Sequence, residues 1–285
     1  MTRAKIKKRN LIESLLKLTR FGNLLIIGLA QYFTAAFLIE KNTVFDFHLL
    51  LLSSSTVLIA AAGYIINDYY DIKIDFINKP ERVVIGRSIA RRYAILFHVV
   101  LSCTGILIGA SLSLRIGAVN IVSVFLLWLY SNNLKRLPLI GNVTVAFLTG
   151  LSIYMIEIYY HSGKSMILIY ATFAFFMTLI REIIKDMEDL KGDNSFGCKT
   201  LPITVGVRKT KIVIYIIIFI FSITVLMINQ FYTGISIYYF LVCLFIPLLI
   251  LLTRLTRADR MKDYAWLSTF SKVIMLLGIL SMAFS

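Results

Sequence analysis

The sequence predicts an all-α polytopic membrane protein: a bundle of nine transmembrane helices with its N-terminus on the cytoplasmic side. Three observations carry that prediction. Hydrophobic residues make up 59% of the 285 and charged residues only 16%, well below the roughly one-quarter charged share of a soluble domain, and the mean hydropathy is +0.83. The apolar residues gather into nine runs close to the ~20 residues that cross a bilayer. Of the 30 Lys and Arg, 26 fall in the intervals on one side of the resulting alternation, the distribution that cytoplasmic loops collect. A water-soluble globule is excluded. The formal net charge of +15 is accounted for by cytoplasmic loops and points to no nucleic-acid partner.

Residues 1–20 form a basic N-terminal segment in which Lys5, Lys7, Lys8 and Arg9 suit contact with anionic lipid. A basic segment followed by an apolar run imitates a signal peptide, but eight more such runs follow and no small-residue cleavage site stands out, so residues 23–39 are expected as a retained first helix. The other expected spans are 47–66, 93–112, 116–130, 140–159, 165–184, 212–229, 235–252 and 264–283. With the N-terminus inside, the outer loops hold Lys41, Arg115 and Lys164, and Lys272 is left inside the last span. The chain reads as one domain, 1–285, whose cytoplasmic loops 67–92 and 185–211 carry the site. Cys103, Cys198 and Cys243 lie far apart and form neither a paired nor a metal-ligand spacing.

Acids at the end of a span are functional candidates, because charge is costly near lipid. Nine of the 15 acids sit in two short segments: Asp68, Asp71, Asp75 and Glu81 after the second span, and Glu182, Asp186, Glu188, Asp189 and Asp193 after the sixth. Residues four apart share a helix face, so Asn67, Asp71 and Asp75 form one polar stripe and Asp189 and Asp193 another. Like charges at that spacing repel. A hard cation with oxygen ligands turns the repulsion into binding, and Mg²⁺ takes one or two carboxylates together with waters and phosphate oxygens. Asp189 follows Asp71 by 118 residues, as Asp193 follows Asp75, the arrangement expected of two helical halves that each contribute to one cavity. Lys73, Lys79, Arg82 and Arg87 accompany the first motif, and Lys185, Lys191 and Lys199 the second, which sets diphosphate partners beside metal ligands.

At these residues the sequence resembles the UbiA family of intramembrane prenyltransferases. The family's N-x-x-x-D-x-x-x-D pattern is met by Asn67, Asp71 and Asp75, and its second D-x-x-x-D by Asp189 and Asp193, with Lys199-Thr200-Leu201 following. Further similarity lies in Arg20-Phe21-Gly22-Asn23, in the run from Tyr130 to Lys135 and Arg136, and in Gly141-Asn142. Within the family, the run from Arg181 to Asp193 is most similar to the branch containing digeranylgeranylglyceryl phosphate synthases, and less so to the homogentisate and chlorophyll branches. It departs from the menaquinone branch, which places Arg where this chain has Glu188. The family's usual Pro-x-Arg-Pro becomes Pro80-Glu81-Arg82-Val83, which keeps Arg82 but changes the loop.

The resemblance implies a helical bundle around a central cavity and Mg²⁺-dependent transfer of an isoprenyl group, geranylgeranyl, from an allylic diphosphate to a lipid acceptor, geranylgeranylglyceryl phosphate. An aromatic acceptor is the alternative. A secondary transporter ranks below both, since its ionisable residues belong near the bilayer midplane. Metal ions would be held by Asp71, Asp75, Asp189 and Asp193 with Asn67 in support, and Arg82, Lys135 and Lys199 would contact the diphosphate. Asp68 and Asp186 lie one position off the main stripes, with roles beside the diphosphate or in plain solvation. Arg20 and Asn23 close the site from the first helix, unless Arg20 simply snorkels. Tyr130 or Tyr154 would face the carbocation-like fragment, against interfacial anchoring. His98 and His161 read as structural. The partners are the two substrates and membrane lipid, with no obligatory protein partner. The expected location is the inner or plasma membrane, with the active site facing the cytoplasm.

Overall fold

The computed structural model describes residues 10–231 and 244–284. These residues are overwhelmingly helical and contain no β-strand, only an isolated bridge between Ile85 and Ile89. A short helix α1 (Leu11–Leu18) lies before α2 (Phe21–Phe33), which winds on as a π-helix through Ile39. Then follow α3 (Phe47–Asn78), α4 (Arg91–Leu112), α5 (Leu114–Asn132), α6 (Ile140–Tyr160), α7 (Ser165–Glu188), the short α8 (Leu190–Ser195) and α9 (Leu201–Val205), α10 (Val207–Phe231), α11 (Ile246–Arg257) and α12 (Met261–Ser281). Two starts carry side-chain caps: Asp46 accepts from the His48 N–H at 2.9 Å, and Ser113 Oγ from the Ile116 N–H at 3.1 Å.

Eight helices among the described residues are long and apolar enough to cross a membrane. They correspond to every expected span except 235–252, whose first residues, with Cys243, lie outside the described residues; its described remainder falls in α11. Two helices run well past their apolar stretch. The 32 residues of α3 extend about 48 Å at 1.5 Å per residue, against a hydrocarbon core of about 30 Å. Residues 67–78 are therefore helix and not the expected loop. Buried Ile72 and Ile74 keep these turns packed after the membrane signal has ended. Likewise α7 continues to Glu188 and is followed by α8 and α9 within the expected 185–211 loop.

The two helices that end in acidic motifs, α3 and α7, are also the most enclosed spans. One apolar cluster packs α7 against α10, α11 and α12 around Met177, Ile180, Phe221 and Leu251. A second closes the opposite end around Leu49, Leu52, Ile116, Ile156 and Ile167. A third seats residues 83–89 as a strap, with Val84, Ile85 and Ile89 on Leu18, Ile65 and Ile72. Arg87 holds the strap by donating to the Pro80 carbonyl at 2.7 Å and stacking over Phe76.

Candidate active site

The first motif occupies the last turns of α3 and the second the junction of α7 with α8. They meet directly through Asn78. Its Nδ2 donates to the Asp189 carbonyl at 3.0 Å, and its Oδ1 accepts from the Gly192 N–H at 2.8 Å. Gly192 is required by this approach, since a Cβ there would stand 2.4 Å from the Asn78 amide. The neighbouring Lys79 lies 2.8 Å from both Glu188 and Asp189, and Lys185 lies 3.9 Å from the other Asp189 oxygen. Lys135 Nζ donates to Asp71 at 2.5 Å. It rides on the turn Leu134–Arg136 between α5 and α6, which packs so closely on Gly141 that a Cβ would lie 2.8 Å from the Leu134 carbonyl and the Lys135 Cα. Asn142, beside it, donates to Asp186 at 2.9 Å. On the other flank Arg20, whose φ of +51° turns the chain between α1 and α2, pairs with Asp68 at 2.8 Å and lies over the Tyr64 ring.

Burial, the charge of Asp189 and the charge of Asp71 across the mouth push the Asp193 carboxyl up to about 7. Oxygen donors crowded until one resists ionising are a donor set that fits a hard divalent cation. The lysines on Asp71 and Asp189 already supply positive charge there. Among the described residues no three acidic, His or Cys groups stand together closely enough to hold an ion. An ion here would complete its shell with waters and ligand oxygens, the habit of Mg²⁺ rather than of a structural metal.

Membrane-ward of the carboxylates lies a cavity of about 230 Å³. Its polar end is lined by Arg20, Asn23, Tyr64, Asn67, Tyr130, Arg181, Glu182, Lys185 and Lys272, and its remainder is mostly apolar, from Ile26 and Leu127 to Phe173, Met275 and Ile279. A charged mouth above an apolar chamber suits an amphiphile with an anionic head and an apolar tail.

Of the residues expected at the site, Asp71, Asp75, Asp186, Asp189 and Asp193 gather at the mouth, where their charges interact. Lys135 and Asp68 join them through their ion pairs, and Asn67, Arg20, Asn23 and Tyr130 line the cavity. Three residues stand apart. Tyr154 does not line the cavity and packs in the apolar cluster at the opposite end. The Lys199 side chain is exposed; its backbone N–H donates to the Arg136 carbonyl at 2.7 Å, so it braces the Lys135 turn. Arg82 is exposed on the turn after α3 and does not line the cavity, although its charge reaches Lys272 in the cavity wall. His98 accepts its structural reading, with Nδ1 3.0 Å from the Ala62 carbonyl. Sequence reasoning missed Asn78, whose partners lie over 110 residues away, and left Lys272 without a role.

Residues 29–278 match the UbiA prenyltransferase family. The chain is 43% identical over 164 residues to a digeranylgeranylglyceryl phosphate synthase of Methanothermobacter thermautotrophicus, a match spanning 58% of either chain. It is 34% identical over 276 residues, 95% of each chain, to the synthase of the same name from Saccharolobus solfataricus. Among solved structures, a digeranylgeranylglyceryl phosphate synthase superposes with a TM-score of 0.73 at 23% identity, covering 95% of this chain and 97% of the other. A UbiA homologue from Archaeoglobus fulgidus bound to GPP and Mg²⁺ superposes with a TM-score of 0.68 at 17% identity, covering 95% and 99%. At those identities the structural likeness speaks for the fold.

Proposed function

The chain belongs to the UbiA prenyltransferase family, and on that premise we propose that it transfers a geranylgeranyl group from its allylic diphosphate to geranylgeranylglyceryl phosphate. The reaction forms a C–O bond between the allylic C1 and the acceptor hydroxyl and breaks the bond from C1 to the diphosphate oxygen, releasing diphosphate and the hydroxyl proton. The observation that carries the proposal is the meeting of two carboxylate motifs and their lysines at the mouth of one apolar cavity. Relatives named for this synthase, 33–43% identical, favour the glycerophosphate acceptor over an aromatic one.

Asp71, Asp75, Asp189 and Asp193, supported by Asn67, would hold Mg²⁺, which when bound offsets the charge of the diphosphate. Lys135, Lys79 and Lys185 lie on those carboxylates and would turn to the diphosphate oxygens, stabilising the charge that develops as the C–O bond breaks. Tyr130 would present its ring to the electron-poor allylic carbon. The apolar chamber would exclude water, so that the acceptor hydroxyl is the nucleophile available. We place the carboxylates on the cytoplasmic side of the cell membrane, where 26 of the 30 Lys and Arg gather.

The test is mass spectrometry of the detergent-purified protein with geranylgeranyl diphosphate and geranylgeranylglyceryl phosphate, with and without Mg²⁺. A metal-dependent diether supports the proposal. Prenylation of homogentisate or an aromatic acid in place of the diether overturns the acceptor.

A further inference from the structure

Lys272 sits in the middle of α12, a helix composed to cross a membrane, and a charge in such a place demands a reason. Its ammonium donates to the Asn23 amide oxygen at 3.0 Å, a neutral partner. The charges that reach it are those of Arg181, Arg20 and Arg82, against the carboxylate of Glu182. Of the four cations that line the cavity wall, Arg20 pairs with Asp68, Arg181 with Glu182, and Lys185 lies 3.9 Å from Asp189, whereas Lys272 has no carboxylate within 4 Å among the described residues. Glu182 is engaged by Arg181 Nη1, while the Arg181 Nε–H is buried without a hydrogen-bond partner. A half-buried ammonium held only by a neutral amide is costly unless a ligand supplies the missing charge.

The cluster is separate from the carboxylates that would receive the donor. Arg181 stands eight residues before Asp189 along α7, about 12 Å of helix. A reaction joining two anionic lipids needs two anion sites. We propose that Lys272 and the Arg181 Nε–H form the second, which takes the phosphomonoester of the acceptor lipid. This rests on the glycerophosphate reading above. A phosphomonoester offers up to two charges and three acceptor oxygens, enough for both donors, while the acceptor's chain occupies the apolar chamber. An uncharged acceptor would leave the Lys272 ammonium without a counter-charge.

The test uses the full chain in detergent, without donor or Mg²⁺, and follows the rise in unfolding temperature with added geranylgeranylglyceryl phosphate or with the dephosphorylated geranylgeranylglycerol. The phosphorylated lipid should stabilise the wild type at roughly 10- to 100-fold lower concentration than the alcohol, the factor that a charge-assisted hydrogen bond supplies. Lys272→Gln should erase that difference and Lys272→Arg restore it, so a poorly folded Gln variant leaves the Arg comparison decisive. In turnover, Lys272→Gln should raise the acceptor KM by the same factor with the donor KM unchanged. Equal discrimination in wild type and Lys272→Gln overturns the site, as does a rise confined to the donor KM, which would assign the cluster to the diphosphate. Phosphate-dependent stabilisation without any diether product leaves this site standing and overturns the proposed reaction instead.

Discussion

The contact between Asn78 and Gly192 joins the two acidic motifs, and its strength can be isolated by a double-mutant cycle. Asn78→Ala removes two hydrogen bonds across the junction, each with a net value of about 1 kcal/mol. The expected loss of about 2 kcal/mol corresponds to a fall of roughly 3 °C in unfolding temperature, at ~2.1 cal/mol/K of unfolding entropy per residue over 285 residues. Gly192→Ala places a Cβ 2.4–2.5 Å from the Nδ2, Cγ and Oδ1 of Asn78, overpacking that costs about 1–3 kcal/mol. Those atoms are absent from Asn78→Ala, so in that background Gly192→Ala should cost little or gain up to about 1 kcal/mol from the helix preference of Ala. The two changes should therefore be non-additive by about 1–3 kcal/mol. Unfolding followed by intrinsic fluorescence in detergent measures all four proteins, and the Mg²⁺ needed for half-maximal activity should rise in both single variants. An equal cost of Gly192→Ala in the two backgrounds would refute the contact as the link between the motifs.

Because the folded Asp193 carboxyl titrates at about 7 and an unfolded one near 4, the metal-free folded state binds more protons between those values. Its stability falls as pH rises through that window. A bound cation needs the ionised form, so stabilisation by Mg²⁺ should grow from pH 5.5 to 7.5, and Asp193→Asn should flatten the profile; thermal shift at fixed Mg²⁺ checks it. Gly141→Ala would drive a Cβ within 2.8 Å of the Lys135 turn, and should raise the KM for the isoprenyl diphosphate more than that for the acceptor. At Gly278 a Cβ would lie 2.2 Å from the Phe173 ring, and both residues line the cavity. Gly278→Ala should push that ring inward and shift preference toward shorter allylic diphosphates, read as the ratio of products from a mixed donor pool. An unchanged ratio counts against Phe173 as a wall of the isoprenoid chamber.

Much of this arrangement was legible in the chain because its signals are local. Apolar runs mark spans, and the four-residue spacing of Asn67, Asp71 and Asp75 marks a face whether or not the helix is known to continue. The end of α3 was not legible: apolar signal stops where the membrane stops, while the backbone ladder runs on to Asn78. Side-chain direction also escaped. Lys135 and Lys199 look alike as basic residues near acidic motifs, yet the turn on Gly141 aims the first at Asp71 while the second reaches the site through its backbone alone. Tyr130 and Tyr154 are both tyrosines in spans, and only the packing of α5 and α6 separates the one lining the cavity from the one in the far cluster. Lys272 was visible as a lone charge in an apolar run, but its meaning required α2 and α7 to be brought beside it.

In the proposed reaction the two motifs act together to bind one metal–diphosphate. The most direct measurement of this is the equilibrium binding of geranylgeranyl diphosphate, titrated with Mg²⁺, to the wild type and to Asp71→Asn and Asp189→Asn. Tight binding that requires Mg²⁺ is expected in the wild type, weakening by about 100-fold or more in each variant, on the scale of losing one group that stabilises developing charge. Wild-type affinity in either variant, or binding indifferent to Mg²⁺, would contradict it.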